Sequence, residues 1–188
     1  MNNYLQEAMR TRSGDFHEMN HDLEHGIIGI TTEACELLSG FRFNPETLDT
    51  TNLLEELGDI CWYLAISCYG LNLSWEDLYG FEINTPLEDI ELEDCIDEIV
   101  VNSGILLDHI KRIHFYGINL DSGFCKNKLK IIYSNVNISA ELLDTTIEKV
   151  QEANIKKLRT RYPEKWTAKS AIQRNLDDER TVLEANLF

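Results

Sequence analysis

The strongest constraint on the fold of this chain is the spacing of four carboxylates between residues 33 and 59. Glu33 and Glu36 are three residues apart, and so are Glu56 and Asp59. Side chains three residues apart in a helix lie on the same face. A glycine and a proline interrupt the segment between the two pairs, and such residues mark a break. The spacing therefore predicts two helices, each presenting one carboxylate pair.

Two features favour a buried site over a solvated helix face, which is the usual role of an isolated pair of this kind. Isoleucine and leucine residues surround both pairs, and Gly58 lies within the second pair. A glycine inside a helix costs about 1 kcal/mol relative to alanine, which indicates a close approach at that point. If the helices fold back on each other, four converging carboxylates need protons or cations. Hard oxygen ligands favour Mg²⁺, with Mn²⁺ as a substitute.

The fold class indicated by the sequence is all-α. Only three prolines interrupt 188 residues, and apolar residues recur at helical spacing with few alternating runs. The predicted helices cover 4–12, 21–39 and 50–69, a short helix capped by Ser74, then 86–114 and 127–135, a long helix capped by Ser139 that ends at Arg161, and 169–184. The last of these has little apolar surface and is expected to pack on the body or on a partner subunit.

The predicted domain organisation is one all-α domain over residues 1–163 followed by a C-terminal helical arm over 164–188. Within the domain, 81–135 is an extra helical segment or a degenerate copy of the first helix pair. The copy is suggested by YGLNLSWEDL at 69–78, which resembles SNVNISAELL at 134–143. Such a tandem repeat of helix pairs would keep the four acids only in its first copy.

The charge distribution points away from a general nucleic-acid binder. The net charge is −16, and the stretch from 43 to 110 carries sixteen acidic residues with no Lys or Arg. From 149 to 174 the balance reverses to eight basic and two acidic residues. An acidic body with a basic segment could hold a cation in one place and a phosphate chain beside it.

The remaining composition predicts a cytoplasmic protein that does not enter a membrane. No apolar run approaches the ~20 residues of a membrane span, and the first fifteen residues have no apolar core, so they are not a secretory signal. No cysteine pair has CxxC spacing. The cysteines are expected to be reduced core residues, and they are Cys35, Cys61, Cys68, Cys95 and Cys125.

Several residues outside the acid pairs could contact a phosphate, and each has a plainer alternative. Asn154, Lys157 and Arg161 share one helical face, which suits phosphate oxygens but is equally typical of a solvated helix end. Tyr63 lies four residues after Asp59, so its hydroxyl could reach a phosphate or its ring could pack in the core. Arg42 could contact a phosphate or an acid. His21 and His25 could reach a ligand held near Glu33, or they could be polar residues of a loop and of a first helical turn.

The motifs resemble those of a known family. EACE at 33–36, EELGD at 55–59 and the following WYLA resemble the ExxE…ExxD signature of the MazG-like all-α nucleoside triphosphate pyrophosphohydrolases. NIKKLRTRYPEKW at 154–166 resembles that family's NIxKLRxRYPxxF segment, and AIQRNLDDERTVLE resembles a tail that follows it in many members. The resemblance covers about 17–80 and 136–185. The stretch between them departs from the compact form of the family.

The resemblance implies Mg²⁺-dependent hydrolysis of a nucleoside triphosphate, in the leading hypothesis a dNTP, to the monophosphate and pyrophosphate. It implies a helical bundle of the all-α nucleoside triphosphate pyrophosphatase type, active as a homodimer or homotetramer. The implied metal ligands and catalytic residues are Glu33, Glu36, Glu56 and Asp59, and the implied triphosphate contacts are Tyr63, Asn154, Lys157 and Arg161. The preferred nucleobase and the general base stay open, and the candidate nucleobase contacts are His21, His25, Trp62 and Trp75. The alternatives are a nucleotide-binding protein without hydrolysis and an acidic interaction protein.

Overall fold

The described part of the chain is built from helices, which confirms the predicted all-α class. The computed structural model describes residues 4–12, 19–43, 48–81, 86–162, 167 and 175–187, and these residues contain no strand. The α-helices are α1 (Tyr4–Arg10), α2 (Met19–Phe43), α3 (Thr50–Gly70), α4 (Leu92–Tyr116), α5 (Ser122–Leu142), α6 (Ile147–Arg161) and α7 (Leu176–Leu187). Short 3₁₀ turns lie at Trp75–Leu78 and Leu87–Asp89. Among these helices, none has the length and apolar character needed to cross a membrane.

Local capping explains where the central helices begin and end. The Asp49 side chain accepts a hydrogen bond from the backbone N–H of Asn52 at 3.0 Å, which starts α3 at its predicted position. The helix predicted from residue 86 is instead a 3₁₀ turn followed by α4. α4 ends at Gly117, whose φ of 68° is the left-handed conformation that glycine adopts readily.

The predicted boundary between α5 and α6 is wrong, because Ser139 does not cap a helix. Ser139 is buried inside α5. That helix is capped by Asp121, which accepts from the Phe124 N–H at 2.9 Å, and α6 is capped by Thr146, which accepts from the Lys149 N–H at 3.4 Å. Buried side chains recur at helical spacing through α5, at Cys125, Leu129, Ile132, Val136 and Ala140. Packing therefore outweighs the capping preference of serine.

α2 and α3 pack antiparallel along most of their length. A methyl group added at Gly26 would lie 2.2 Å from Ser67 Oγ, and one added at Gly40 would lie 3.0 Å from Asn52 Nδ2. These two contacts are at opposite ends of the helix pair. Glu33 lies midway between the two glycines and therefore faces the middle of α3, which carries the second acid pair.

The other helices enclose this pair. α4 packs on the opposite side of α2, α5 packs on α4 and α3, and α6 packs on α3. Arg42 near the end of α2 pairs with Glu93 at 3.2 Å and with Asp97 at 3.1 Å. Of the two roles predicted for Arg42, the structure shows the contact with acids. One hydrophobic cluster runs through the described helices.

α7 packs on the body of its own chain. It lies against α6 and α3, burying Leu183 and Leu187, and Arg180 pairs with Asp49 at the start of α3 at 2.9 Å. The predicted arm helix is thus observed from Leu176 onward, and residues 168–174 lie outside the described residues.

The prediction for the cysteines is confirmed for four of them and is wrong for Cys35. Cys61, Cys68, Cys95 and Cys125 are buried with free thiols, whereas Cys35 is exposed with a free thiol. Cys35 lies between Ala34, which is buried, and Glu36, which is exposed. Its apolar neighbours in the sequence therefore face a different side of α2.

The contact at Gly26 is expected to make G26A strongly destabilising. The added methyl group would also lie 2.9 Å from the Tyr63 carbonyl oxygen, so the helices would have to separate. We expect a loss of about 2 kcal/mol or more in the free energy of unfolding. The matched control is G104A in α4, where an added methyl group meets nothing within 4 Å. The free energy of unfolding of G104A should rise by up to ~1 kcal/mol, because alanine favours a helix more than glycine does. Equal effects of the two variants in urea unfolding would contradict the close helix crossing.

Candidate active site

Three acidic side chains from two helices converge at the middle of the α2–α3 pair. Glu33 comes from α2, and Glu56 and Asp59 come from successive turns of α3. Each contributes one carboxylate oxygen, and the three oxygens lie within 4.8 Å of one another. Glu56 is 8% exposed, whereas Glu33 and Asp59 are half-buried. We call these three residues the acid cluster.

Glu36, the fourth predicted ligand, lies at the rim. It is exposed and does not belong to the group of converging oxygens. Three residues along a helix turn the side chain about 60° short of a full circle, and on α2 this rotation carries Glu36 toward solvent. Its negative charge still helps to raise the pKa values of Glu33 and Glu56. The structure thus brings three of the four predicted carboxylates together.

The acid cluster carries more negative charge than its surroundings neutralise. Burial, together with the charges of Asp59 and Glu36, raises the pKa of Glu33 to about 7. Burial, together with the charges of Asp59 and Glu33, raises the pKa of Glu56 to about 9. At neutral pH the cluster therefore holds a proton in the place where a cation could bind.

Lys157 of α6 is the counter-ion of Asp59. Its side chain is 0% exposed, and Nζ donates to both Asp59 oxygens at 2.8 and 2.6 Å and to Glu55 Oε1 at 3.0 Å. Although burial opposes protonation, the carboxylates of Asp59 and Glu55 hold the pKa of Lys157 above its usual value. A direct contact between Lys157 and a phosphate stays a prediction, and it would require this ion pair to open.

Asn154 links Asp59 to the N-terminal helix. Its Nδ2 donates to Asp59 Oδ1 at 2.7 Å, and its Oδ1 accepts from the Tyr4 hydroxyl at 3.3 Å. A methyl group added at Gly58 would lie 3.1 Å from Asn154 Cβ. The close approach predicted at this glycine is therefore made by α6.

Arg161 lies at the end of α6 and is held by α7. Its Nε donates to Glu179 Oε1 at 2.9 Å, and its Nη2 donates to Glu179 Oε2. The charge of Arg161 offsets part of the rise in pKa that burial causes at Tyr63. The charge of Asp59 adds to the effect of Glu179 in raising the pKa of Arg161. The guanidinium thus lies within electrostatic reach of the acid cluster while it is paired elsewhere.

Tyr63 lies beside the acid cluster, and His25 and Trp62 pack against the Tyr63 ring. A methyl group added at Gly29 would lie 2.1 Å from Tyr63 Cδ1, so this ring packs directly on α2. The His25 ring lies 5.5 Å from the Tyr63 ring and 6.0 Å from the Trp62 ring. Trp62 Nε1 donates to Thr11 Oγ1 at 2.9 Å, so its N–H is already used within the fold. A nucleobase contact through Trp62 would have to use the face of the ring.

The other two candidate base contacts lie elsewhere. His21 is exposed, and its Nδ1 lies 3.8 Å from Glu24 Oε2. Trp75 is 1% exposed and packs between Tyr4 and Tyr133 at ring distances of 5.1 and 5.4 Å. Trp75 is therefore a core residue.

Sequence reasoning did not find two partners of the site. Glu55 belongs to the EELGD motif but has no role predicted from the sequence, and it shares Lys157 with Asp59. Glu179 lay in a tail with no assigned role. The signal for Glu55 is its position one turn from Asp59 on the face that a basic helix would cover. No pattern in the sequence pairs Glu179 with Arg161, because this contact depends on the docking of α7.

The acid cluster fits a hard divalent cation. Ligand oxygens around octahedral Mg²⁺ are separated by about 3 to about 4 Å, so the observed separations of up to 4.8 Å need small side-chain rotations. Asp59 accepts three hydrogen bonds from Lys157 and Asn154, which leaves one of about four acceptor positions for a cation. Because burial and the neighbouring carboxylates raise the pKa of Glu56 to about 9, this residue would release a proton on binding a cation.

The metal-free protein should lose stability as the pH rises. The folded-state pKa values of Glu33 and Glu56 lie above the usual value of 4.5. The stability that proton binding by these groups gives the folded state is therefore fully present below pH 4.5. This stability is lost as the pH rises through the folded-state pKa values of about 7 and about 9. We expect the free energy of unfolding in a chelator to fall by a few kcal/mol from about pH 6 to about pH 9. Saturating Mg²⁺ should flatten the profile. A flat profile without metal would contradict the crowding of these carboxyl groups.

Comparisons with known proteins identify no relative from which a role for the site could be inferred. The chain has no significant match to a protein-family model, a curated protein or a solved structure.

Proposed function

We propose that this chain hydrolyses a nucleoside triphosphate, in the first instance a dNTP, to the monophosphate and pyrophosphate in the presence of Mg²⁺. The observation that carries the proposal is the convergence of three carboxylate oxygens within 4.8 Å of one another. A basic helix end lies beside them, with Arg161 at its last position. An anionic cluster next to a cation suits a substrate that binds metal and protein through phosphate oxygens.

The charges explain why a metal is part of the proposal. A nucleoside triphosphate and the acid cluster are both anionic and would repel each other. The divalent cation, when bound, would supply positive charge against the phosphate oxygens and a water molecule of lowered pKa. The residues that would hold it are Glu33, Glu56 and Asp59, with Glu36 at the rim.

The residues of the chain would position the substrate and move one proton. The attacking water would transfer its proton to a carboxylate oxygen of the first acid pair, and half-buried Glu33 is better placed than exposed Glu36. The water oxygen would bond to the α-phosphorus, and the bond to the oxygen bridging the α- and β-phosphates would break, which releases pyrophosphate. Arg161 and the Tyr63 hydroxyl would contact the phosphates, since both lie near the acid cluster.

We extend the proposal to the family type and the assembly. The helices would form a bundle of the all-α nucleoside triphosphate pyrophosphatase type, and α4 with α5 would be a second helix pair derived from the first. A homodimer or homotetramer is supported by exposed apolar side chains on α2 and α4, at Ile28, Val101 and Ile105. Light scattering on purified protein tests the assembly.

Product analysis tests the proposed activity. Purified protein would be incubated with Mg²⁺ and each dNTP, and the products separated by ion-exchange chromatography. The expected products are the monophosphate and pyrophosphate, in equal amounts. E33Q should remove the activity, while E152Q, which changes an exposed acid on α6, should not. Release of orthophosphate, or no turnover of any nucleotide, would overturn the proposal.

One observation favours a second function, binding of a nucleotide without hydrolysis. Lys157 already neutralises Asp59 through both oxygens, which would weaken a metal bound there. Calorimetry followed by recovery of the ligand distinguishes the two functions. A non-hydrolysing protein would bind nucleotide stoichiometrically and release it unchanged.

A further inference from the structure

A nearly buried ion pair joins α7 to α6 beside the acid cluster. The side chains of Arg161 and Glu179 are 13% and 4% exposed. Two parallel hydrogen bonds, from Nε and Nη2, fix the plane of the guanidinium. Arg161 can therefore turn only if α7 moves or the pair opens.

This ion pair is not needed to hold α7 in place. Leu183 and Leu187 bury apolar surface, and Arg180 binds Asp49 with two further hydrogen bonds at 3.0 and 2.9 Å. A buried ion pair contributes little more stability than apolar residues of the same volume. A role in directing Arg161 accounts better for an acid in this position.

Without Glu179, Arg161 would keep its contact with Tyr162 and would still be attracted by the carboxylate of Asp59 in the acid cluster. The charge of Asp59 already acts on Arg161. Among the described residues, the cation that forms an ion pair with the cluster is Lys157. A second cation on these carboxylates would compete with a divalent metal for the same oxygens. Glu179 keeps Arg161 off the carboxylates.

We propose that Glu179 is a positioning residue. It holds the guanidinium of Arg161 apart from the acid cluster and directs the N–H groups that it does not use toward the phosphates of a bound polyphosphate. The substrate class rests on the proposed function, but the geometry of the pair does not.

The test measures binding with two probes, Mg²⁺ alone and inorganic tripolyphosphate with Mg²⁺, by calorimetry. In E179Q we expect the Kd for tripolyphosphate to rise about tenfold and the affinity for Mg²⁺ to fall severalfold, because Arg161 is free to occupy the carboxylates. R161Q should weaken tripolyphosphate binding without weakening Mg²⁺ binding. In E179Q/R161Q the tripolyphosphate Kd should equal that of R161Q, and Mg²⁺ affinity should return to that of the wild type.

Two controls separate positioning from folding. R180Q removes the ion pair between α7 and Asp49 at the start of α3 and should leave both affinities unchanged. If E179Q does not fold, because Arg161 is then buried without its ion-pair partner, E179D keeps the charge at a shorter reach. E179D should raise the tripolyphosphate Kd, and E179D/R161Q should match R161Q. A rise in R180Q equal to that in the Glu179 variants, independent losses in the double variants, or unchanged binding in the Glu179 variants would each overturn the proposal.

The same measurements keep the two proposals apart. If the wild type binds tripolyphosphate with Mg²⁺ but hydrolyses no nucleotide, the proposed activity is overturned and the role of Glu179 is still decided by the variants. If the wild type binds Mg²⁺ but no tripolyphosphate, the positioning role is overturned as well.

Discussion

E56Q is expected to abolish Mg²⁺-dependent turnover and, in the absence of metal, to raise the unfolding temperature. Glu56 is 8% exposed, and burial together with nearby carboxylates raises its pKa to about 9. At about pH 8 the folded protein must bind a proton there that the unfolded chain does not hold, which costs folding free energy. Glutamine removes that cost while keeping the shape of the side chain.

The two effects of E56Q have different sizes and different pH dependence. A metal site supplies several kcal/mol of transition-state stabilisation, so the loss of a ligand should lower kcat/KM roughly a thousandfold. The gain in metal-free stability should reach a few kcal/mol at about pH 8 and almost vanish at about pH 3.5, where Glu56 is protonated in both states. E152Q on the surface of α6 is the control. An E56Q protein less stable than the wild type at both pH values would contradict the crowded cluster.

K157M is expected to cause the largest loss of stability of any single change considered for this chain. The Lys157 side chain is 0% exposed and pairs with Asp59 and Glu55. Methionine fills a similar volume but leaves both carboxylates without their cation. Removing one partner of a buried pair typically costs about 3–5 kcal/mol, which corresponds to a fall of roughly 10 °C in Tm.

A neighbouring lysine provides the control for K157M. Lys156 is exposed and donates to Asn186 at 2.6 Å, so K156M should change Tm by no more than a few degrees. Adding D59N to K157M should recover part of the stability, because one uncompensated charge is removed. Equal Tm values for K157M and K156M, measured by calorimetry, would show that Lys157 is not the counter-ion of the site.

The sequence predicted the central helix pair well because its signals are local. Asp49 caps α3, and the apolar spacing after it is regular, so the helix begins at Thr50 as predicted and extends one residue past the predicted end. Two acid pairs at helical spacing were enough to infer that carboxylates of the two helices meet, although Glu36 does not join the other three. α5 was misassigned because Ser139, a good cap by residue type, is buried by tertiary packing.

The parts of the site that the sequence did not predict depend on contacts between distant helices. Lys157 lies on the predicted basic face, but its half-buried partner Asp59 is ninety-eight positions away, and no local rule links them. Glu36 has the same spacing as Asp59 within its pair, yet the neighbours of α2 leave it exposed. Spacing places a side chain on a helix face, and only the packing of other helices decides whether that face is buried.

Anomalous scattering from crystals soaked in Mn²⁺ would show whether the acid cluster binds a divalent cation, since Mn²⁺ takes the same oxygen ligands as Mg²⁺. We expect a manganese peak between Glu33, Glu56 and Asp59, at coordination distance from one oxygen of each, and no such peak in crystals of E56Q. An acid cluster without manganese in the wild type, or a peak that persists in E56Q, would show that the cluster is not a metal site.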